Sequence, residues 1–164
     1  MEKNIEELIK DLKEDDEFVV MEASNMLELK GSESVEPLIK SLNTKNKNTK
    51  INAAKLLGQI KDEKAINPLI NLLNDHNKLV RREASTSLTR FGDLAVEPLT
   101  NILNDENWKV RGAAVWALGK IGSENNIEDI AKLLNDESGF VKAGAKSSLK
   151  MIGGPKAEEY LNNI

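Results

Sequence analysis

Two residue ladders with a common period constrain this chain more than any other feature. Alanine recurs at Ala23, Ala53, Ala84, Ala114 and Ala145, in steps of 30 or 31 residues. Four residues after each alanine stands Leu27, Leu57, Leu88, Leu118 or Leu149, and four before it Val19, Thr49, Val80, Val110 or Val141. A second ladder, Leu12, Leu42, Leu73, Leu103, Leu134 and Ile164, keeps the same steps, and Pro37, Pro68 and Pro98 each precede its leucine by five residues. A single unit of this length cannot cover its own apolar stripe, whereas stacked neighbours can, so the period predicts a repeat architecture.

Each period holds two apolar patterns of helical spacing. The first, helix A, runs from Val35 to Leu42 in its second copy, and the second, helix B, from Val110 to Gly122 in its fourth. In helix B, Val110, Ala114, Leu118 and Ile121 form one stripe, whose small alanine admits a close neighbour. Asp16, Asn46, Asn77, Asn107 and Ser138 are N-cap types three residues before the valine series. Gly31, Gly92, Gly122 and Gly153 follow the B helices as left-handed stops. Ser32, Asp62, Asp93 and Ser123 are placed to cap the next A helix, and Pro155 suits a first turn. Pro37, Pro68 and Pro98 lie about one turn inside helix A and should cost a bond or bend it.

From each proline to Thr49, Val80 or Val110 is 12 residues, so the A-to-B hairpin is constant and the 30/31 alternation falls in the B-to-A connection. The expected organisation is one all-α domain over 1–164, with repeats at about 4–31, 32–61, 62–92, 93–122 and 123–153. A capping helix at 155–164 follows, its apolar face formed by Tyr160, Leu161 and Ile164. The first A helix sets Glu2, Lys3, Glu6 and Glu7 around Ile5, Leu8, Ile9 and Leu12, a polar exterior suited to the other end.

The chain has no cysteine, which excludes disulfides, thiolate metal sites and cysteine nucleophiles. Its one histidine, His76, nearly excludes histidine-based metal sites and is expected on the surface. No apolar run at the amino end resembles a secretory signal, and none approaches the ~20 residues of a membrane span, so a cytoplasmic location is expected. The net charge of −4 opposes nucleic-acid binding. Residues 1–36 carry twelve acidic and four basic side chains, whereas 37–61 carry six lysines (Lys40, Lys45, Lys47, Lys50, Lys55, Lys61) and no acid. This asymmetry fits two solvated faces, or an electropositive patch for an acidic partner.

Leu103, Asp105, Val110, Arg111, Ala114, Leu118, Gly119 and Gly122 stand in the order and spacing of a known repeat. Leu73, Asp75, Val80, Arg81, Ala84, Leu88 and Gly92 match it again, as do Leu134, Asp136, Val141, Lys142, Ala145, Leu149 and Gly153. The chain thereby resembles the HEAT-like repeat family, in the short form also found in phycobilisome lyase subunits. The resemblance implies a right-handed α-solenoid of about five two-helix repeats plus a C-terminal capping helix. It also implies a hydrogen-bond ladder between turns through Asp75, Arg81, Asp105, Arg111, Asp136 and Lys142. Glu14/Val20 and Thr44/Lys50 depart from the pattern, leaving that ladder in doubt in the first two repeats. HEAT-type deoxyhypusine hydroxylase, a di-iron enzyme built on His-Glu pairs, shares the repeat, but no such pair stands here.

No arrangement suited to acid–base, nucleophilic, metal or phosphate-loop chemistry is found, so no catalytic or metal-binding residue and no cofactor is expected. In the family the B helices line the concave side. Positions off the core stripe are Lys55, Gln59, Arg82, Thr86, Arg90, Trp108, Gly112, Trp116 and Lys120, the candidate surface for a protein or peptide, acidic in the sharper reading. Trp116 falls nearly opposite the stripe with Lys120 one turn on, and Gly112 leaves room beside its ring. Trp116 is equally readable as packed on a neighbouring B helix, and for Trp108 packing is the favoured reading. Phe18 and Phe140 are expected half-buried. The leading function is a non-catalytic interaction scaffold. The family also suggests an accessory or lyase subunit acting on a chromophore- or cofactor-bearing protein.

Overall fold

A computed structural model describes residues 3–164; Glu2, read above as part of the first helix's polar face, lies outside them. Every regular element among the described residues is helical. They fall into two compact units, one running to Arg90 and the other from Phe91 to Ile164. The first holds α1 (Ile5–Asp11), α2 (Glu17–Lys30), α3 (Ser32–Ser41), α4 (Lys47–Ile60), α5 (Ile66–Leu72) and α6 (Lys78–Thr89). The second holds α7 (Val96–Thr100), α8 (Trp108–Ile121), α9 (Ile127–Lys132), α10 (Gly139–Ile152) and α11 (Gly154–Asn162). None of these helices is long and apolar enough to cross a membrane.

In the first unit α1/α2, α3/α4 and α5/α6 are hairpins, and α4 packs against both α2 and α6. In the second α7/α8 and α9/α10 are hairpins, α8 packs on α10, and α11 on α10 and α9. The even-numbered helices are the B helices, and their alanine–leucine stripes form the cores. Ala53, Leu57, Ala84 and Leu88 are buried in the first unit, and Ala114, Leu118, Ala145 and Leu149 in the second. Thr49 fills the valine slot of its repeat and is buried there too.

All five expected residues hold the N-cap positions of the B helices, and four of them cap with their side chains. Asp16 accepts from the N–H of Phe18, Asn46 from Thr49, Asn77 from Leu79 and Asn107 from Lys109, while Ser138 is the N-cap of α10 without a side-chain bond. The A helices begin differently. Asn4 caps α1 in a box with Glu7, and of the four residues expected to cap the later A helices only Asp62 does so with its side chain, by accepting from Lys64 N–H. Ser32 lies inside α3, Asp93 inside a 3₁₀ turn, and Ser123 makes no capping bond. Short 3₁₀ turns, Glu63–Ala65 and Gly92–Ala95, lead into α5 and α7. Pro68 and Pro98 are therefore the third residues of new α-helices, where a backbone N–H has no intrahelical acceptor and none is lost. At the far end α11 buries Ala157, and Ile164 is 61% exposed beyond it, not part of an apolar face. The helix stops two residues short of it, at Asn162.

Successive B helices approach closely through a glycine. A methyl group on Gly119 would lie 2.4 Å from Ser148 Oγ and 2.7 Å from its Cα. One on Gly58 would lie 2.8 Å from Ser87 Cβ. Ser148 cannot swing away without a loss, because its hydroxyl donates to the Val115 carbonyl at 2.7 Å.

Lys61 closes α4 with φ 60 and ψ 33, the left-handed conformation that Gly122 adopts after α8. Each N–H bonds the carbonyl of the leucine four residues back at 3.0 Å. A side chain at such a position carries a strain that glycine lacks.

Two stability predictions follow from these geometries. Gly119→Ala should cost about 1–3 kcal/mol by overpacking, despite alanine's helix preference. Lys61→Gly should gain about 0.5–1 kcal/mol, as the released strain exceeds the added chain entropy. Urea unfolding of the two variants beside the parent chain checks both signs.

Candidate functional site

In the last three repeats the turn between the A and B helices is built around an aspartate, a place that Thr44 takes in the second. Asp75, Asp105 and Asp136 each accept, through Oδ1, the N–H of the capping residue two positions on, at 2.8 Å. Arg81 donates from Nη1 to the carbonyls of Asp75 (2.7 Å) and His76 (2.9 Å). Arg111 does the same to Asp105 (2.7 Å) and Glu106 (3.1 Å). Each arginine thus holds its own turn.

The link to the next repeat is an ion pair. Arg111 grips Asp136 with two parallel bonds, Nε to Oδ2 at 2.8 Å and Nη2 to Oδ1 at 2.9 Å, both side chains being 7% exposed. In the first unit Lys50 donates to Asp75, the pair again nearly buried. Lys50 stands where the repeat pattern calls for arginine, and its ammonium reaches the equivalent carboxylate. Lys142 falls out of the expected ladder: it is exposed and makes no such bond among the described residues. Between repeats one and two, asparagines do the bridging, Asn52 to the Leu12 carbonyl (2.9 Å) and Asn48 to Asp15 Oδ1 (3.2 Å). That signal was present in the sequence, but no repeat pattern pointed to it.

The expected recognition residues divide between the units. In the first, Lys55, Gln59 and Arg82 are exposed and Thr86 is half-buried. Arg90 is turned back onto the fold, with Nη1 on the Lys55 carbonyl (3.4 Å) and Ser87 Oγ (3.3 Å), and Glu83 at 3.7 Å. Lys55 and Gln59 line a groove of about 440 Å³ between α2 and α4, together with Glu14, Asp15, Glu17 and Glu28. The cationic row expected there is outnumbered by carboxylates.

In the second unit Trp116 is 37% exposed, with Lys120 Nζ 5.8 Å from its ring centre. Trp108 is 43% exposed, meets Phe140 edge to face at 5.4 Å, and has Lys109 Nζ 5.7 Å from its centre. Phe18 and Phe140, expected half-buried, are 67% and 64% exposed. Gly112 is buried and leaves no free space: the Phe140 ring rests on it, so a methyl group there would meet Phe140 Cε1 at 2.8 Å. The glycine thus seats an aromatic ring of the chain's own next B helix. His76 is on the surface, 3.6 Å from Asp75. Among the described residues no group of three or more His, Asp or Glu side chains is placed to hold a metal ion.

The pairing tunes the turn carboxyls. Arg111's hydrogen bonds hold Asp136 below the usual carboxylate range against the opposing effect of burial. Burial pushes Asp75 up, but Lys50 and the Asn77 N–H together outweigh it and leave that carboxyl lowered as well. A carboxyl with a depressed folded value stabilises above its unfolded value, near pH 4, and loses that contribution as pH falls through the folded value. Asp136→Asn should therefore cost about 3 kcal/mol at neutral pH, leaving the Arg111 guanidinium buried without its partner. Denaturant titrations should show the gap from the parent chain closing below about pH 4; a gap constant with pH would contradict the assignment.

The sequence matches the HEAT-repeat family over residues 35–96 and again over 96–163. Among solved structures, a chain in the complex of CpcE and CpcF of phycocyanin lyase from Nostoc sp. PCC7120 is similar, at 23% identity and a TM-score of 0.64. That match covers 88% of this chain and 96% of that one. Human deoxyhypusine hydroxylase in complex with glycerol is 21% identical with a TM-score of 0.55, over 97% of this chain and 66% of that one. An engineered protein is 23% identical with a TM-score of 0.50, over 99% and 85%. No curated protein sequence matches at a significant level. The structural likenesses are likenesses of fold. With its repeated caps, turn aspartates and two consecutive family matches, the chain belongs to the HEAT-repeat family.

Proposed function

We propose that this chain is a non-catalytic, cytoplasmic interaction scaffold that seats an acidic protein or peptide on the B-helix face of its second unit. The observation that carries the reading is the exposed Trp116 with Lys120 against its ring, on a helix pair that holds no acidic residue. Lys109, Lys120, Lys142, Lys146 and Lys150 are all exposed on α8 and α10. Trp108, Phe140 and Met151 add exposed apolar surface to those helices. Exposed aromatic rings beside cations suit a ligand that brings carboxylates together with apolar side chains, since a ring buries much area at little entropic cost. The nearly buried charged groups Asp75, Asp136 and Arg111 are committed to the fold, where they hold turns together.

Both tryptophans lie on α8, so intrinsic fluorescence reports on this face. A synthetic peptide of glutamate and leucine at helical spacing should change that fluorescence saturably and more weakly as salt rises. Trp116→Ala should weaken the peptide, measured by anisotropy of a labelled copy, by about tenfold or more. The same change should cost less than about 2 kcal/mol of stability, short of the 3–5 kcal/mol of a core tryptophan. Unchanged affinity, or unfolding of the variant, would contradict this reading.

A further inference from the structure

The groove between α2 and α4 has the opposite character. Its rim carries four carboxylates: Glu14 and Asp15 from the α1–α2 turn, Glu17 and Glu28 from α2. Lys55 is the one cation among the lining residues. Glu17 and Glu28 join no ion pair among the described residues, and Glu14 reaches only its neighbour Lys13, at 4.0 Å. Val20, Met21 and Leu56 supply apolar wall within the same 440 Å³.

Next to it, α2 leaves an apolar ridge uncovered. Met21 is 52% exposed, Phe18 67% and Leu29 87%. At 100° per residue Phe18, Met21 and Leu29 share one face of α2, Leu29 three turns beyond Phe18, with Glu22 and Asn25 exposed between them. Single exposed apolar residues are ordinary; three on one face, beside a groove lined by four carboxylates and one lysine, are not. α4 has a B helix on each side, whereas α2 packs on one, α4.

We propose that this groove docks a cationic amphipathic segment of a partner protein, with Lys or Arg on the carboxylate rim and apolar side chains on Met21, Phe18 and Leu29. The charge selects the occupant. Four carboxylates against one lysine repel an acidic segment and attract a basic one, while the ridge gives a basic segment with apolar residues an advantage over a bare polycation. The site is separate from the α8/α10 face and does not rest on the reading given to it.

The test uses the full chain and two labelled synthetic peptides, one of lysine and leucine at helical spacing and one with glutamate in place of lysine, followed by anisotropy. The lysine–leucine peptide should bind saturably, and the glutamate peptide, titrated in a separate sample because the two peptides pair with each other, should bind the parent chain no more tightly than a chain neutralised at the rim. The triple variant Glu14→Gln, Glu17→Gln, Glu28→Gln should weaken binding tenfold or more and flatten its salt dependence. Met21→Ser, which touches only a half-exposed side chain, should weaken binding several-fold at unchanged helicity by circular dichroism. Trp116→Ala should leave this binding unchanged, which separates it from the α8/α10 reading. Oligolysine binding as tightly as the amphipathic peptide, or indifference to the triple variant, would overturn the proposal. So would sedimentation showing that the chain alone self-associates through this face, since a second copy would then be the occupant.

Discussion

The structure depends on how near one B helix comes to the next. Gly58 facing Ser87 and Gly119 facing Ser148 bring backbones together where any larger side chain would hold them apart. The serines do more than leave space: Ser148 donates to Val115 of the neighbouring helix, a buried hydroxyl satisfied by the backbone it touches. Close-packed interiors tolerate little change in such contacts. That spacing lets the guanidinium of Arg111 reach Asp136 in the next turn and Lys50 reach Asp75. Helix proximity and turn bridging are two consequences of one repeat length.

Much of this was legible in the residues. A period of 30 or 31, capping residues at a fixed offset and alanine–leucine stripes are local statements about backbone bonds and helical faces. They fixed the helices to within a few residues. The details that escaped depend on what a side chain meets across the fold. Pro68 and Pro98 read as defects because a continuous helix was assumed, whereas the chain restarts its helix just ahead of them. Gly112 read as an open space because the ring that fills it, Phe140, lies 28 residues later in another helix. Lys50 read as a departure because a pattern records residue types and a carboxylate responds to charge. Ile164 kept the period of its ladder after the helix that gave the period meaning had ended.

The surface was the least legible part, for an electrostatic reason. Counting charge along the chain placed a basic stretch after an acidic one, but helices present residues from both stretches on one face. Lys55, from the basic stretch, stands among Glu14, Asp15, Glu17 and Glu28 from the acidic one, so the local sign is negative. Conversely α8 and α10 hold no acid at all although the whole chain carries −4. Partner choice follows the field at a face rather than the net charge. Under the two proposals together, this repeat protein has two faces for ligands of opposite sign, each with its own apolar anchors.

The measurement that bears most directly on the central claim is a double-mutant cycle at the α8–α10 contact, combining Gly119→Ala with Ser148→Gly and following unfolding free energy. If the contact is the steric constraint described here, removing the Ser148 side chain relieves the clashes of the added methyl group with Oγ and Cβ and leaves only the one with Cα. The double variant should then be more stable than the sum of the single losses by about 1 kcal/mol or more. Losses that add to within about 0.5 kcal/mol would mean that the two positions do not press on each other, and the account of the stack would fail.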